Sequence, residues 1–308
     1  KIKKIFNYSS AVDGLRQILW GGFKKIVIAD TCAKYANLIF NDYGNYSGFS
    51  LFFGAVLFSF QIYGDFSGYS DIAIGTARLF GFNLKKNFNF PYFSRDIAEF
   101  WRKWHISLST WFRDYLYIPL GGSKGSLFNK LRNVVIIFLI SGFWHGANWT
   151  FIFWGLINAI YFIPFLIFNK NRNNINLISV NRLLPTIKEF FQMVSTFIFV
   201  TLAWIFFRSE NITNAFEYTN QMFNGLFEKS GYVQAFDILY FKIGLVFPLI
   251  FIVFLSLEWA GRASNYAIEK LFLNKKRIFR IAVYYFIFLS IMFFTINGEE
   301  QEFIYFKF

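Results

Sequence analysis

Along this chain, apolar runs without charge alternate with short stretches where Lys and Arg collect. Five runs stand out: Phe49 to Tyr63, Asn133 to Asn169, Phe190 to Phe207, Ile243 to Leu257 and Ile281 to Gly298. The first leads into a stretch bearing Gly and Asp, and the second contains no Lys, Arg, Asp or Glu. None alternates strictly between apolar and polar residues as a membrane barrel strand must, so the pattern predicts helices. No internal repeat, low-complexity tract or soluble linker interrupts it. The predicted fold class is all-α: a polytopic integral membrane helix bundle, with residues 1–308 forming a single membrane domain. The chain begins at Lys1 in mid-pattern, so a further N-terminal part is expected before it.

The run from Asn133 to Asn169 is too long for one crossing and reads as a hairpin turning at His145-Gly146-Ala147. Its first arm, Asn133 to Trp144, would be about 18 Å of helix, and its second, Asn148 to Asn169, about 33 Å. A hydrocarbon core is about 30 Å thick, so unequal arms would leave the turn past the midplane, as a re-entrant or broken helix. Such a break is tolerated only where protein or water lines it. The segment 94–118 has a different pattern. Ser94 is the expected N-cap, with Asp96 in the first turn. Trp101, Trp104, Leu108, Trp111 and Tyr115 recur at helical spacing, which predicts one amphipathic helix, at the membrane interface or under the bundle, whose Trp stripe serves packing. Leu120 to Gly125, after Pro119, reads as a flexible turn and lacks the Gly-Lys-Ser/Thr ending of a phosphate loop.

Composition supports the bilayer. The chain is 56% hydrophobic, 24% aromatic and only 16% charged, where a soluble domain carries roughly 25% charged residues. No secretory signal or cleavage site is visible. The net charge of +13 could suit nucleic acid, but the cations cluster between apolar runs. That distribution fits cytoplasmic loops and excludes nucleic acid as the partner. Segment 83–132 carries nine Lys or Arg, 170–188 four, 208–242 three against four acids, and 258–280 six. Counting positive charge puts the first two and the last inside, and 208–242 outside. The tail with Glu299, Glu300 and Glu302 is then outside as well.

Candidate chemistry is sparse. The single cysteine, Cys32, excludes an internal disulfide and reads as a small filler in an apolar helix rather than a thiol nucleophile. Two histidines, no Cys cluster and few acids give no recognisable zinc set, and no Gly-x-Ser-x-Gly elbow occurs. His105 and His145 are the only histidines, both in aromatic surroundings. Histidine is the usual general base near neutral pH, and one in a membrane-embedded turn is a functional candidate. Asp65 and Asp71 lie in apolar sequence, where an unpaired carboxylate is costly. Asp65 could orient a histidine or bind substrate; pairing with Arg78, Arg102 or Arg113 is the structural alternative.

The motifs Tyr63 to Asp71, Glu99 to Gly122 and Phe143 to Ala147, with Trp149 to Gly155 and the closing Phe303 to Phe308, resemble the membrane-bound O-acyltransferase family. Within it they look most like the alginate and peptidoglycan O-acetyltransferase membrane subunits. The resemblance implies that the family's characteristic histidine is His145 and its second polar position His105. It implies that these line a transmembrane tunnel where donor and acceptor meet. Asp65, Trp104, Arg113, Trp144 and Asn148 are the neighbouring candidates for substrate or tunnel contacts. It further implies no bound cofactor, with acetyl-CoA or another acyl thioester as donor substrate. An extracytoplasmic esterase-like (SGNH-type) partner, a polysaccharide acceptor and a bacterial inner-membrane location follow from the same resemblance. D-Alanyl transfer to teichoic acid is the nearest rival. A transporter using broken helices as a gate is the rival of another class, though the absence of a repeat speaks against it.

Overall fold

The computed structural model describes residues 6–179, 182–271, 276–298 and 301–303, and among these there are helices and no strand. The twelve α-helices are α1 (Tyr8–Gly22), α2 (Asp30–Asn41), α3 (Gly48–Leu79), α4 (Ile97–Lys103), α5 (Ile106–Phe112), α6 (Leu127–His145), α7 (Trp149–Ile167), α8 (Ile187–Arg208), α9 (Ile212–Asn224), α10 (Lys229–Asp237), α11 (Val246–Ala260) and α12 (Arg277–Asn297). Five of them, α3, α6, α7, α8 and α12, are long and apolar enough to cross a membrane. The chain is a polytopic helical membrane protein. The run predicted from Ile243 emerges as α11, only 15 residues long. It is bent 97° from the preceding helical stretch Lys229–Ile243, which ends in the π-helical segment Ile238–Ile243, so it qualifies as a crossing only together with that stretch. Of the closing motif, residues 304–308 lie outside the described residues, as do Glu299, Glu300 and residues 272–275 with Lys275.

The described residues group into two compact units. One comprises residues 1–42, 56–89 and 232–307. Here α1, the π-helical segment Phe23–Ala29 and α2 follow one another directly. The apolar pattern did not reveal this helical run because Lys24, Lys25 and Asp30 interrupt it. The interruptions are paired within the unit. Lys24 Nζ lies 2.6 Å from Asp71, and Lys25 Nζ lies 2.9 Å from Asp65 and 2.7 Å from Asp30. Asp65 therefore pairs with Lys25, not with Arg78, Arg102 or Arg113; Arg78 pairs with Asp13. Buried Glu258 accepts hydrogen bonds from the Trp20 indole at 3.1 Å and the Tyr63 hydroxyl at 2.5 Å. Glycines let α1 and α3 approach backbone to backbone: a Cβ on Gly21 would fall 2.5 Å from the Gly68 carbonyl, and one on Gly75 the same distance from that of Gly14. Small residues at such crossings are the usual device of membrane helix packing. Cys32 is wholly buried, as a filler would be.

The other unit comprises residues 43–55 and 90–231. Its centre is the α6–α7 hairpin. The two helices are equal, 19 residues or about 28 Å each, so the unequal arms expected from the charge-free run are not found. Charge does not stop a helix: Ser126 caps α6 through the Asn129 N–H, and Lys130 and Arg132 lie in its early turns. At the other end the left-handed Asn169 (φ 53°) stops the chain just beyond α7. With equal arms, helix length no longer places the turn at mid-membrane. The hairpin is close-packed. A Cβ on Gly142 would fall 2.3 Å from the Phe151 carbonyl, and one on Gly155 the same distance from that of Phe138.

Segment 94–118 is not one helix. Trp104 is extended (ψ 129°) and His105 left-handed (φ 43°), so α4 ends and α5 begins anew. The break rotates the stripe out of register: Trp104 is 2% exposed, whereas Trp111 and Tyr115 are 49% and 65% exposed. The N-cap is Asp96 rather than Ser94; its carboxylate accepts from the Glu99 N–H at 2.6 Å and from Asn174 Nδ2 at 2.6 Å. The turn after Pro119 is pinned, not flexible, because buried Asn133 donates to the Leu120 and Gly122 carbonyls at 3.1 and 3.2 Å.

Candidate active site

Within this second unit, α4, α5, α6 and α7 enclose a cavity of about 330 Å³. That is the lower end of the range for small-molecule sites. Both histidines line it, although 40 positions separate them in sequence. His105 enters from the break between α4 and α5. A left-handed conformation at a non-glycine residue costs on the order of 1–3 kcal/mol and is concentrated at functional sites. His145 enters from the last residue of α6. Gly146 follows it because a Cβ there would fall 2.8 Å from the Phe151 ring.

Aromatic rings hold both imidazoles. The edge-on Trp144 ring is common to them, 6.2 Å from His105 and 5.0 Å from His145 between centroids. Trp154 and Phe207 meet His145 edge-on at 5.3 and 5.0 Å. Burial pushes His105 down to about 4, so its ring is neutral around pH 7. A neutral imidazole offers one donor and one acceptor, which is what proton abstraction or carbonyl positioning requires.

The other expected site residues divide. Trp104 lines the cavity, stacked on Phe100 at 5.5 Å and against Trp204 at 5.1 Å. Arg113 also lines it, with its Nε 2.8 Å from Asp114. Asn148 does not line it; its side chain caps α7 by accepting from Thr150 N at 3.0 Å, and its Nδ2 donates to the Glu210 carbonyl at 2.8 Å. Asp65 is buried in the first unit on Lys25 and is not among the lining residues. Among the lining residues outside the sequence reading of the site are Trp154 and Ser141, within the charge-free run, and Arg172, in a basic loop.

Buried Glu99 anchors α4. It is 2% exposed, with Arg95 Nε at 3.0 Å and Lys103 Nζ at 2.8 Å. Burial opposes its ionisation, but hydrogen bonds from Arg95 and the Lys103 charge outweigh that and hold the carboxyl below its usual range. Arg102 fastens the same turn to the loop after α7 by donating to the Asn171 and Asn174 carbonyls at 2.7 and 2.9 Å.

Fold and cavity together define an integral membrane protein with a histidine-bearing site inside a helical unit. The chain belongs to the membrane-bound O-acyltransferase family, whose sequence model matches residues 13–207. It is 40% identical over 217 residues to a probable alginate O-acetylase of Pseudomonas aeruginosa, covering 69% of this chain and 38% of that protein. It is 40% identical over 215 residues to a peptidoglycan O-acetyltransferase of Helicobacter pylori, covering 70% of this chain and 39% of that protein. A teichoic acid D-alanyltransferase of Streptococcus thermophilus is 38% identical over 111 residues, covering 34% of this chain and 27% of that protein. The chain spans about two-fifths of the length of the first two relatives.

Proposed function

We propose that this protein is an O-acyltransferase that moves an acetyl group from a cytoplasmic thioester, acetyl-CoA or a similar donor, toward hydroxyls of an extracytoplasmic polysaccharide. The observation that carries this reading is the convergence of His105 and His145 on one aromatic cavity. In this mechanism His145 takes the proton from the attacking hydroxyl, and His105 positions donor or acceptor through a hydrogen bond. One cavity holding both reactants supplies proximity. Alginate or peptidoglycan is the acceptor class favoured by the relatives with the longer matches, since the D-alanyltransferase match covers about half as much of the chain. An extracytoplasmic esterase-like partner completes the transfer, and the bacterial inner membrane is the site of action.

The test is transfer of labelled acetyl from acetyl-CoA to polysaccharide, or to the partner, in membranes with matched protein levels. His145→Ala should lower the rate by about 10²–10⁴-fold, the usual range for loss of a general base. Wild-type transfer by the variant would remove His145 from the mechanism. Absence of any transfer by the unmodified protein, with substrate translocation instead, would favour the transporter.

A further inference from the structure

We infer that the Ser141 hydroxyl hydrogen-bonds the carbonyl oxygen of the thioester, one helical turn from the His145 imidazole. The inference rests on the acyl-transfer reading above and adds a substrate-contacting residue to it. The α6 residues that line the cavity are Val134, Ile137, Phe138, Ser141 and His145. Their spacing is that of one helix face, and Ser141 lies within it, between Phe138 and His145. Ser109 and Ser123 also line the cavity, but their hydroxyls are engaged. Ser109 Oγ donates to the Trp104 carbonyl at 3.3 Å, and Ser123 Oγ lies 3.2 Å from the Tyr117 hydroxyl. Ser141 is 7% exposed, and its Oγ has no hydrogen-bond partner among the described residues. That oxygen is nevertheless not sealed in packing, as the Trp101 indole nitrogen is.

A hydroxyl on a membrane helix can close on its own backbone. Thr196 on α8 and Ser290 and Thr295 on α12 do so, donating to the carbonyl four residues earlier at 2.9, 2.8 and 2.9 Å. Ser141 makes no such bond. On the lining face of α6 it is the one polar side chain besides His145, and a polar group there costs free energy unless something pairs with it. Four residues of helix advance about 6 Å, so Ser141 lies one turn from His145 toward the start of α6. That start follows segment 83–132, the side from which the thioester enters in the proposed orientation. In the step itself, the sugar hydroxyl oxygen bonds to the thioester carbonyl carbon, and its proton passes to His145. The carbonyl electron pair moves onto oxygen, and the Ser141 hydrogen bond strengthens as charge develops there. Collapse re-forms the carbonyl and breaks the carbon–sulfur bond, and the thiolate recovers the proton from His145. Ser141 keeps its own proton throughout.

The experiment measures kcat/KM for transfer from acetyl-CoA and from its dithioacetyl analogue, in which sulfur replaces the carbonyl oxygen. It uses membranes containing the wild-type protein, Ser141→Ala or Ser141→Thr at matched levels. Sulfur is a weak hydrogen-bond acceptor, so the wild-type preference for the oxygen compound contains the Ser141 bond together with the intrinsic difference in reactivity. Ser141→Ala deletes the bond and leaves the intrinsic difference. The oxygen-over-sulfur preference should therefore shrink by about tenfold, the scale of one hydrogen bond. Ser141→Thr keeps a hydroxyl and should keep the preference. An unchanged preference in Ser141→Ala overturns the inference even if the overall rate falls, because a packing role would slow both compounds alike. A rise confined to the KM of the polysaccharide also overturns it and gives the hydroxyl to the sugar. The wild-type control separates these outcomes from failure of the acyl-transfer reading, in which no protein transfers acetyl.

Discussion

His105 shows how one backbone angle can set chemistry. Its left-handed φ of 43° ends α4 and brings the imidazole to the cavity wall. Burial then pushes its pKa to about 4, against about 6.5 for an unperturbed histidine. The sign of the linkage follows directly. The unfolded chain binds the proton more readily, so stability from keeping His105 neutral is complete above about pH 6.5 and is lost as pH falls toward 4. His105→Asn removes the titration and keeps a polar side chain. The unfolding midpoint in detergent should therefore drop less between pH 7 and pH 4.5 in the variant than in the unmodified protein. An equal drop in both would assign the acid sensitivity to another group. Neither the left-handed angle nor the burial of His105 was legible in sequence, because Trp101, Trp104 and Leu108 keep helical spacing straight through the break.

At the scale of helices, the spans were legible where charge was absent and illegible where charge was paired. α6, α7, α8 and α12 all fall on charge-free or nearly charge-free runs. The α1–α2 run was not legible, because the partners of Lys24 and Lys25 lie on α3, some 40 residues further on. The hairpin was visible as a long apolar run, but its equal arms depend on Ser126 and Asn169, whose capping and turning roles leave no mark in hydropathy. Its tightness depends on Gly142 and Gly155, each facing a backbone carbonyl that cannot swing aside. Phe138, Ser141 and His145 on α6 and Trp154 on α7 form cavity wall, so separating the helices should deform the site. Gly155→Val should cost about 1–3 kcal/mol, the range for overpacking, and reduce acetyl transfer as well. Gly44→Ala, where an added Cβ meets nothing within 4 Å, is the control and should change neither. Unchanged thermal unfolding and activity in Gly155→Val would mean that the hairpin is looser than its backbone contacts indicate.

For the molecule as a whole, the +13 charge becomes informative through its distribution. Many cations near the described spans are already engaged: Lys24, Lys25, Arg78, Arg95 and Lys103 all pair with acids. Pairing removes them as simple markers of a cytoplasmic face, so the orientation rests on the cation-rich connections between spans. Segment 208–242, with three cations against four acids, is the acidic exception and should face outward, while 170–188 and 258–280 face the cytoplasm. The sole natural cysteine, Cys32, is wholly buried, so an impermeant thiol reagent should meet little background. Lys229 and Lys270 are exposed and belong to segments of opposite expected side. In intact cells Lys229→Cys should react with the reagent and Lys270→Cys should react only after the membrane is permeabilised. The reverse pattern would invert the protein and put the proposed thioester donor on the wrong side of the membrane. Equal labelling of both before permeabilisation would place the two segments on one face, and α11 with its bent predecessor would then be a re-entrant element, not a crossing.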